Sequence, residues 1–557
     1  MLALVGLSLI AYLPSFQAGF QYDDFAGIVG NRYIRIENLS LSSLSGAAFQ
    51  DRLQNRPLSN LTLALNYYVS GTNPFGFHLA NFLVLVFTAL GVWLLLGKLL
   101  VKLGFDPFRS HMASWLVALV WAVHPVNTQA ITYITQRHAS LAGAFSIWSM
   151  YLLHLGLERK ERRVPLFIGS GLLCASALMS KETAVTLPAL LLAYKIYFFD
   201  GFKAGWLKRN WKWMALLAIF YAAAAGLFLR PGMFSKVADD LGKLQFSPLQ
   251  RLAAEPAALV WYSLVIIFPF PQFLSLLHDF SWSGSGLQAA ATAISSLIIL
   301  AMIYLAVSCA ATRRVFSFCV LWYFGQLLVE AMPLPIAIAH EHRLFLASLS
   351  IISPAVCWPV LRVKKLKTAV VWIIAIALFL SAFTFWRNRV WQSQESLWQD
   401  TAMKSPTMLW SWYHYCLALG ETGKCGRTVL ACYLASAVAP DDYKVHNNLG
   451  ICYFKTGKTA LAEKELVKAV EYSPENVDFT ALNLGFFYTE VKDYEQAAKY
   501  LELALRRNPE NIKTRQALAR TYAQSGRCRQ AFDLARSAPG TFPDFSELAR
   551  LCPNPLQ

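Results

Sequence analysis

Ionisable residues in this sequence gather at the ends of long apolar runs, where charge is costly and marks function more often than packing. The first group is Tyr22-Asp23-Asp24, followed by Asn31. Two adjacent carboxylates just past an apolar helix can divide their work. One accepts a proton from an acceptor hydroxyl, and the other holds a cation, a sugar hydroxyl or an arginine. An acidic pair capping a helix in a turn would look the same. Arg56 lies further along this segment. The second group is His124-Pro125-Val126 with Arg137 and His138, and the third is Lys181-Glu182. Neighbouring positions on a helix do not face one another, so Lys181 and Glu182 should serve different partners. His278-Asp279 and His340-Glu341-His342-Arg343 complete the set of five. Histidine in three of them suggests a metal, but His340 and His342 are too close to form a ligand set on one helix, and HExxH is absent. We therefore assign no metal ligands. Basic groups reaching for a phosphate fit better, Arg as a bidentate fork and Lys as a point charge.

The elements that must position these residues are read from composition. Of 557 residues, 56% are hydrophobic and only 15% charged, against about a quarter charged in soluble domains. A disordered chain, a fibre and an ordinary cytosolic enzyme are excluded. The net charge of +17 is scattered between apolar segments, as membrane-flanking charge is, so no nucleic-acid partner is expected. Apolar runs recur up to residue 385 and then stop. The expected fold is all-α: a polytopic membrane bundle of about eleven transmembrane helices over 1–385, then a soluble helical part. The spans are 1–20, 77–97, 111–126, 128–155, 164–179, 184–199, 211–229, 285–308, 315–332, 344–360 and 368–385. The run 257–270 is read as re-entrant or surface-lying. Placing the basic loops in the cytoplasm puts the N-terminus there too. Segments 21–76 and 230–284 then lie outside, with the whole tail.

The tail repeats with a period of 34 or 35. Asn448-Leu449-Gly450 recurs as Asn483-Leu484-Gly485, Pro440, Pro474 and Pro509 keep step, and Gly423, Gly457 and Gly526 share one turn position. About four helix pairs over 407–545 follow a linker helix at 386–406 and precede a terminal tail, 546–557. They resemble tetratricopeptide repeats, which stack into a superhelix with a concave face. Asn447, Asn448 and Asn483 lie where that face could hold an extended acceptor peptide, though they fit an ordinary helix surface equally well. Cys432 and Cys452 are a candidate disulfide if the tail is extracytoplasmic.

Taken in order, Tyr22-Asp23-Asp24 with Asn31, Arg56-Pro57-Leu58, His124-Pro125-Val126, Arg137, Lys181-Glu182, Glu341 with Arg343-Leu344, and Arg387-Asn388 through Trp398 resemble the C-type glycosyltransferase superfamily. The likeness is to the transmembrane and tetratricopeptide-repeat-containing protein O-mannosyltransferases and their bacterial relatives. It implies a polyprenyl-phosphate-linked sugar as donor, a protein or peptide acceptor met on the extracytoplasmic side, and transfer with inversion. It assigns Asp23 as the main catalytic acid residue, with Asp24 assisting. His124, Arg137, His138, Lys181 and Arg343 fall to the donor phosphate. Asn31, Arg56, Glu182, His278, Asp279, Glu341 and His342 fall to orienting or acceptor-side roles. It leaves a divalent ion beside the acidic pair open. His138 departs from the acidic residue usual in the eukaryotic relatives, and His342 stands where a smaller residue is expected. Size and basic balance suggest a bacterial inner membrane with the repeats in the periplasm. Two rivals stand beside this reading: the same donor with a lipid or glycan acceptor, and a non-enzymatic scaffold for secretion or pilus assembly.

Overall fold

The computed structural model describes residues 1–50, 55–159, 161–202, 205–228, 247–280, 285–332, 334, 336–537 and 546–552. Of the expected outer segment 230–284, only 247–280 is described, and 538–545 of the expected last repeat lie outside the described residues. All described secondary structure is helical. The chain divides into two units, Met1–Leu397 and Trp398–Gln557.

In the first unit, local chemistry starts the helices. After α1 (Leu2–Tyr12), α2 (Leu41–Phe49) and α3 (Pro57–Ser70), the 29-residue α4 (Pro74–Lys102) begins where Asn73 accepts from the Phe75 N–H and Pro74 needs no donor. Asp106 caps α5 (Pro107–Ala122) in the same way. Then follow α6 (Thr128–Thr132), α7 (Arg137–Glu158), α8 (Arg163–Leu178), α9 (Leu187–Lys195) and α10 (Trp206–Phe228). A capping box of Ser247 and Gln250 opens α11 (Pro248–Ile267). The unit continues with α12 (Gly286–Ser308), α13 (Arg314–Leu327), short turns at Glu341–Arg343 and Leu344–Ala347, α14 (Leu349–Arg362) and α15 (Leu366–Val390).

The expectation of eleven spans is corrected by helix length and composition taken together. Among the described residues five helical segments are long and apolar enough to cross a membrane: Pro74–Lys102, Ile134–Glu158, Glu182–Asp200, Gly286–Ser308 and Leu366–Val390. Glu341–Ala347 with Leu349–Arg362, bent by 46°, makes a sixth if the pair is one span. Segment 1–20 holds only an 11-residue helix that tightens into a 3₁₀ turn at Pro14. The 16 residues of α5 or of α8 reach about 24 Å, short of a core of roughly 30 Å. The expected span 128–155 is broken between α6 and α7 by a turn. Residues 257–267 of the run 257–270 belong to α11, whose Tyr262, Val265 and Ile266 pack into the bundle core. These apolar runs reflect burial against other helices as much as contact with lipid.

Two tryptophans fix the 46° bend. The indole N–H of Trp121 donates to the Phe345 carbonyl at 2.8 Å, and that of Trp322 to the Leu346 carbonyl at 2.8 Å.

The second unit opens inside α16 (Gln394–Lys404) and continues as helix pairs: α17 (Leu409–Glu421) with α18 (Cys425–Val438), α19 (Tyr443–Lys455) with α20 (Thr459–Tyr472), α21 (Phe479–Glu490) with α22 (Tyr494–Arg507), and α23 (Ile512–Gln524) with α24 (Cys528–Arg536). A short α25 (Ser546–Leu551) follows. The repeated Asn-Leu-Gly has a packing cause: a Cβ on Gly450 would lie 2.5 Å from Leu466 Cγ, and on Gly485 2.6 Å from Leu501 Cγ. The turn glycines 423, 457 and 526 have positive φ, and in the one repeat without glycine there Lys492 takes φ 65°. The expected Cys432–Cys452 pairing is corrected: Cys432 bonds Cys416 across α17 and α18, and Cys528 bonds Cys552. Cys452 is a free thiol, as is Cys425.

One histidine in this unit makes stability pH-dependent. His446 Nδ1 faces Glu465 Oε2 at 2.5 Å and Nε2 faces the Pro440 carbonyl at 2.6 Å. Both partners accept, so only the imidazolium satisfies both. Burial works against the charge, but Glu465 and the Pro440 carbonyl outweigh it and raise the pKa above 6.5, with Lys468 opposing. A raised folded-state pKa adds stability that is complete below the unfolded value and lost as pH climbs through the folded one. Hydrogen exchange of α19 and α20, corrected for intrinsic rates, should therefore accelerate as pH rises above about 6.5, and His446→Gln should remove that dependence. A flat profile in the parent chain would refute it.

Candidate functional site

The two carboxylates of the first outer segment do different things. Asp24 is fully buried. Its Oδ2 accepts from the Gln21 N–H at 3.0 Å and its Oδ1 from the Thr135 N–H at 2.8 Å. Burial pushes this carboxyl up to about 7, against those two donors, which favour the anion. Asp24 thus ties the segment to the chain just before α7. Asp23 is exposed, and its backbone N–H donates to the Tyr133 hydroxyl at 2.9 Å. Tyr22, at φ 43°, sets the turn. Asn31 shapes the next turn, accepting from Tyr33 N–H and donating to the Gly27 carbonyl.

The basic residues form a second group. Arg56 makes a two-point pair with Glu182, Nε to Oε2 at 2.8 Å and an η-nitrogen to Oε1 at 2.7 Å. Lys181 turns the other way and reaches Glu330 at 2.6 Å, and Arg343 lies 3.6 Å from the second Glu330 oxygen. Burial opposes ionisation of Glu330, but Lys181 and Arg343 hold its pKa below the usual carboxylate range. Arg343 also donates to the Ile338 and Ala337 carbonyls, both at 2.6 Å. Burial weakens the Arg56 cation, yet Glu182, then Glu330 and last Asp23 raise its pKa, so Asp23 lies within electrostatic reach of Arg56.

Lys181, Thr183, Gln326, Glu330, His342 and Arg343 line a cavity of about 40 Å³. Ala139, Ala142, Gly143 and Ser146 of α7 also line it. A Cβ on Gly143 would stand 2.7 Å from the Phe345 ring, so only glycine allows this approach. Two cations against one carboxylate leave the cavity net positive. One turn further along α7, Ile147 and Met150 enter a separate apolar crevice with Leu95, Phe198, Phe318 and Trp322. A net positive cavity and an apolar crevice thus follow one another along α7. His138 is buried with no partner for Nδ1 among the described residues, and the charges acting on it are Arg56, Lys181 and Arg137, all positive.

Other expected site residues are committed elsewhere. His124 accepts from the Val126 N–H and faces the Ile266 carbonyl at 3.0 Å, so both ring nitrogens are engaged. Arg137 donates to Asn81 Oδ1 at 2.6 Å, Asn66 Oδ1 at 2.7 Å, the Phe77 carbonyl at 3.0 Å and the Thr62 carbonyl at 3.2 Å. These bonds pin α3 and α4 to the start of α7. Arg137→Ala should strand several buried acceptors and cost on the order of 3 kcal/mol, read as a lower unfolding temperature. Unchanged stability would return Arg137 to the list of phosphate ligands. Glu341 accepts from the Ser275 N–H and from His278, whose ring lies 4.4 Å from that of Trp261, with Asp279 next in sequence. His342 contacts Gln129 through its backbone N–H and Nδ1. In the repeats, Asn483 donates to Asn447 Oδ1 at 2.8 Å, and Asn448 sits beside them. Among the described residues no group of three or more His, Cys, Asp or Glu is placed to hold a metal ion.

Residues 54–227, which hold Arg56, His124, Arg137, Lys181 and Glu182, match the family described as dolichyl-phosphate-mannose-protein mannosyltransferase. Residues 443–476 and 488–552 match tetratricopeptide repeats. The chain resembles the protein O-mannosyl-transferases. It is 22% identical to human protein O-mannosyl-transferase TMTC3 over 85% of its own length and 55% of that protein's. With human TMTC2 the identity is 29% over 35% of this chain and 24% of the relative. With Tmtc1 of Drosophila melanogaster it is 32% over 33% and 21%. The chain thus spans about half the length, or less, of these relatives. A solved MamA chain aligns with 26% of this chain and 89% of its own at 24% identity and a TM-score of 0.23, too low to speak for the fold.

Several residues that build the site escaped the sequence reading. Glu330 ends an apolar run, the criterion that singled out the other five clusters, and should have made a sixth. Arg251, on α11, donates to the carbonyls of Glu330, Met332 and Ile336 and so holds the segment after Glu330. Tyr133 and Gln129 belong to the second cluster of the sequence, but their partners, the Asp23 N–H and His342, show only in the folded chain.

Proposed function

We propose that this polytopic membrane protein is a C-type glycosyltransferase that moves a sugar from a polyprenyl-phosphate-linked donor to a hydroxyl of a protein or peptide. The observation that carries the reading is the net positive cavity beside an apolar crevice, joined electrostatically through Arg56 to an exposed carboxylate. The lipid phosphate sits against Lys181 and Arg343, flanked by His342 and His138, and the tail enters the crevice along α7. The acceptor hydroxyl attacks the anomeric carbon as the bond from that carbon to the phosphate oxygen breaks. Its proton passes to Asp23, the lipid phosphate leaves as an anion stabilised by the two cations, and the anomeric centre inverts. Asp24 and Asn31 hold Asp23 in place, Arg56 with Glu182 orients the donor, and Glu341 with His278 shapes the far side. Arg137 and His124 act by positioning helices.

In this reading residues 1–385 are the catalytic membrane domain, 386–406 a connection and 407–545 a repeat array that presents acceptor peptide near Asn447, Asn448 and Asn483. The N-terminus is cytoplasmic and the repeats face the periplasm of a bacterial inner membrane. The disulfides Cys416–Cys432 and Cys528–Cys552 support an oxidising compartment. The test is the mass of periplasmic proteins and of extracted lipids and glycans from cells with the parent chain or Asp23→Asn. A sugar adduct on protein that needs Asp23 is expected. An adduct found only on lipid or glycan would replace the protein acceptor, and none at all would favour a scaffold.

A further inference from the structure

A groove distinct from the polar cavity runs along the outside of the bundle between α11, α14 and α15. Its volume is about 630 Å³ and its walls are almost wholly apolar, among them Ile266, Ile352, Ala355, Ala369, Trp372 and Ile376. Its form follows from sequence. Pro354 and Pro359 lie inside α14, where proline removes a ladder hydrogen bond and bends the helix. Ala355 and Ala369 add little volume to the walls. The groove follows α15 from Lys365 to Leu380, about 22 Å at 1.5 Å per residue, more than one leaflet of a core of roughly 30 Å. His124 and Pro269 border one end, and Lys364 and Lys365 the other.

The ends differ in charge. His124 is buried and engaged at both nitrogens. At the other end five basic residues gather. Arg109 donates to the Val360 and Val363 carbonyls, and Arg362 lies over the Phe105 and Trp358 rings. Lys364, Lys365 and Lys367 are exposed, and none pairs with a carboxylate among the described residues. The acid nearby in sequence, Asp106, accepts from the Arg109 N–H as the cap of α5. Two lysines thus border the mouth of a membrane-depth apolar groove with their charge uncompensated.

We infer that this groove is a binding site for an anionic glycerophospholipid, with an acyl chain along α14 and α15 and the phosphate between Lys364 and Lys365. Basic pockets between membrane helices recognise anionic headgroups by this charge match, and the exposed Trp372 suits the level of the interface. The site is independent of the sugar-transfer reading, because none of its residues lines the cavity around Lys181.

The test uses the full chain, purified, stripped of lipid by detergent exchange and then titrated with phosphatidylglycerol or with phosphatidylcholine of the same acyl chains. Bound lipid is counted by native mass spectrometry. Phosphatidylglycerol should be retained in preference, weakening about 5-fold for each lysine neutralised and about 25-fold in Lys364→Gln/Lys365→Gln. Ala369→Phe, which fills the groove and leaves the lysines, should lower retention of the same lipid. Equal retention of the two lipids, or a double variant that binds like the parent, would overturn the site. So would displacement of phosphatidylglycerol from the parent by polyprenyl phosphate but not from Ala369→Phe, which would hand the groove to the donor.

Discussion

Asp23→Asn is expected to lower sugar transfer by about 10²- to 10⁴-fold, the usual worth of a positioned general base, while the protein folds normally and still binds its donor. The side chain is exposed, and surface substitutions of this kind cost little stability. An amide keeps the shape and loses the proton acceptor. Asp24→Asn separates the two carboxylates, since Asp24 accepts from N–H groups on both oxygens and an amide would point its own N–H₂ at one of them. That variant should lose stability and activity together, through the position of the loop. Turnover in Asp23→Asn at the parent rate would remove Asp23 from the reaction. Loss of donor binding alone would make it a ligand of the donor.

Glu330→Ala should be the most damaging single change to the fold of the membrane unit. Glu330 is buried between Lys181 and Arg343, and removing one member of a buried ionic group costs about 3–5 kcal/mol because the remaining charges stay buried and unmatched. The unfolding temperature in detergent should fall by several degrees. The double variant Lys181→Met/Glu330→Met should recover much of that loss, since apolar residues of similar volume replace a buried pair at little cost. Donor affinity should not recover, because Lys181 is gone. Recovery of both would show that the group only stabilises the bundle.

Much of this was legible before the fold was known, and the failures have physical causes. The repeat period survived because each Asn-Leu-Gly answers a local demand, close approach of one helix to the next at Gly450 and Gly485. Lys181 and Glu182 had to part because adjacent side chains diverge, and they do. What failed depended on contacts between distant residues. The Thr135 N–H that anchors Asp24 lies 111 positions away, and nothing near Asp24 announces it. Arg137 looked like a cation in search of an anion, yet four neutral oxygens satisfy it. Cysteine connectivity cannot be read from spacing, and Cys432 found Cys416. The span count ran high because hydropathy scores an apolar run alike whether it meets lipid or a neighbouring helix.

The bend ahead of α14 has a consequence for how substrates arrive. Where a chain turns by 46°, carbonyls leave the helical ladder, and such a place is often a hinge. Here Trp121 and Trp322 add their indole N–H groups to the Phe345 and Leu346 carbonyls, which also accept from Ser348. Straightening the bend would break both and leave two buried indole N–H groups without partners. The wall that carries His342 and Arg343 is therefore a fixed jamb rather than a door, and under the proposed function the opening that admits the donor falls to the segments facing it.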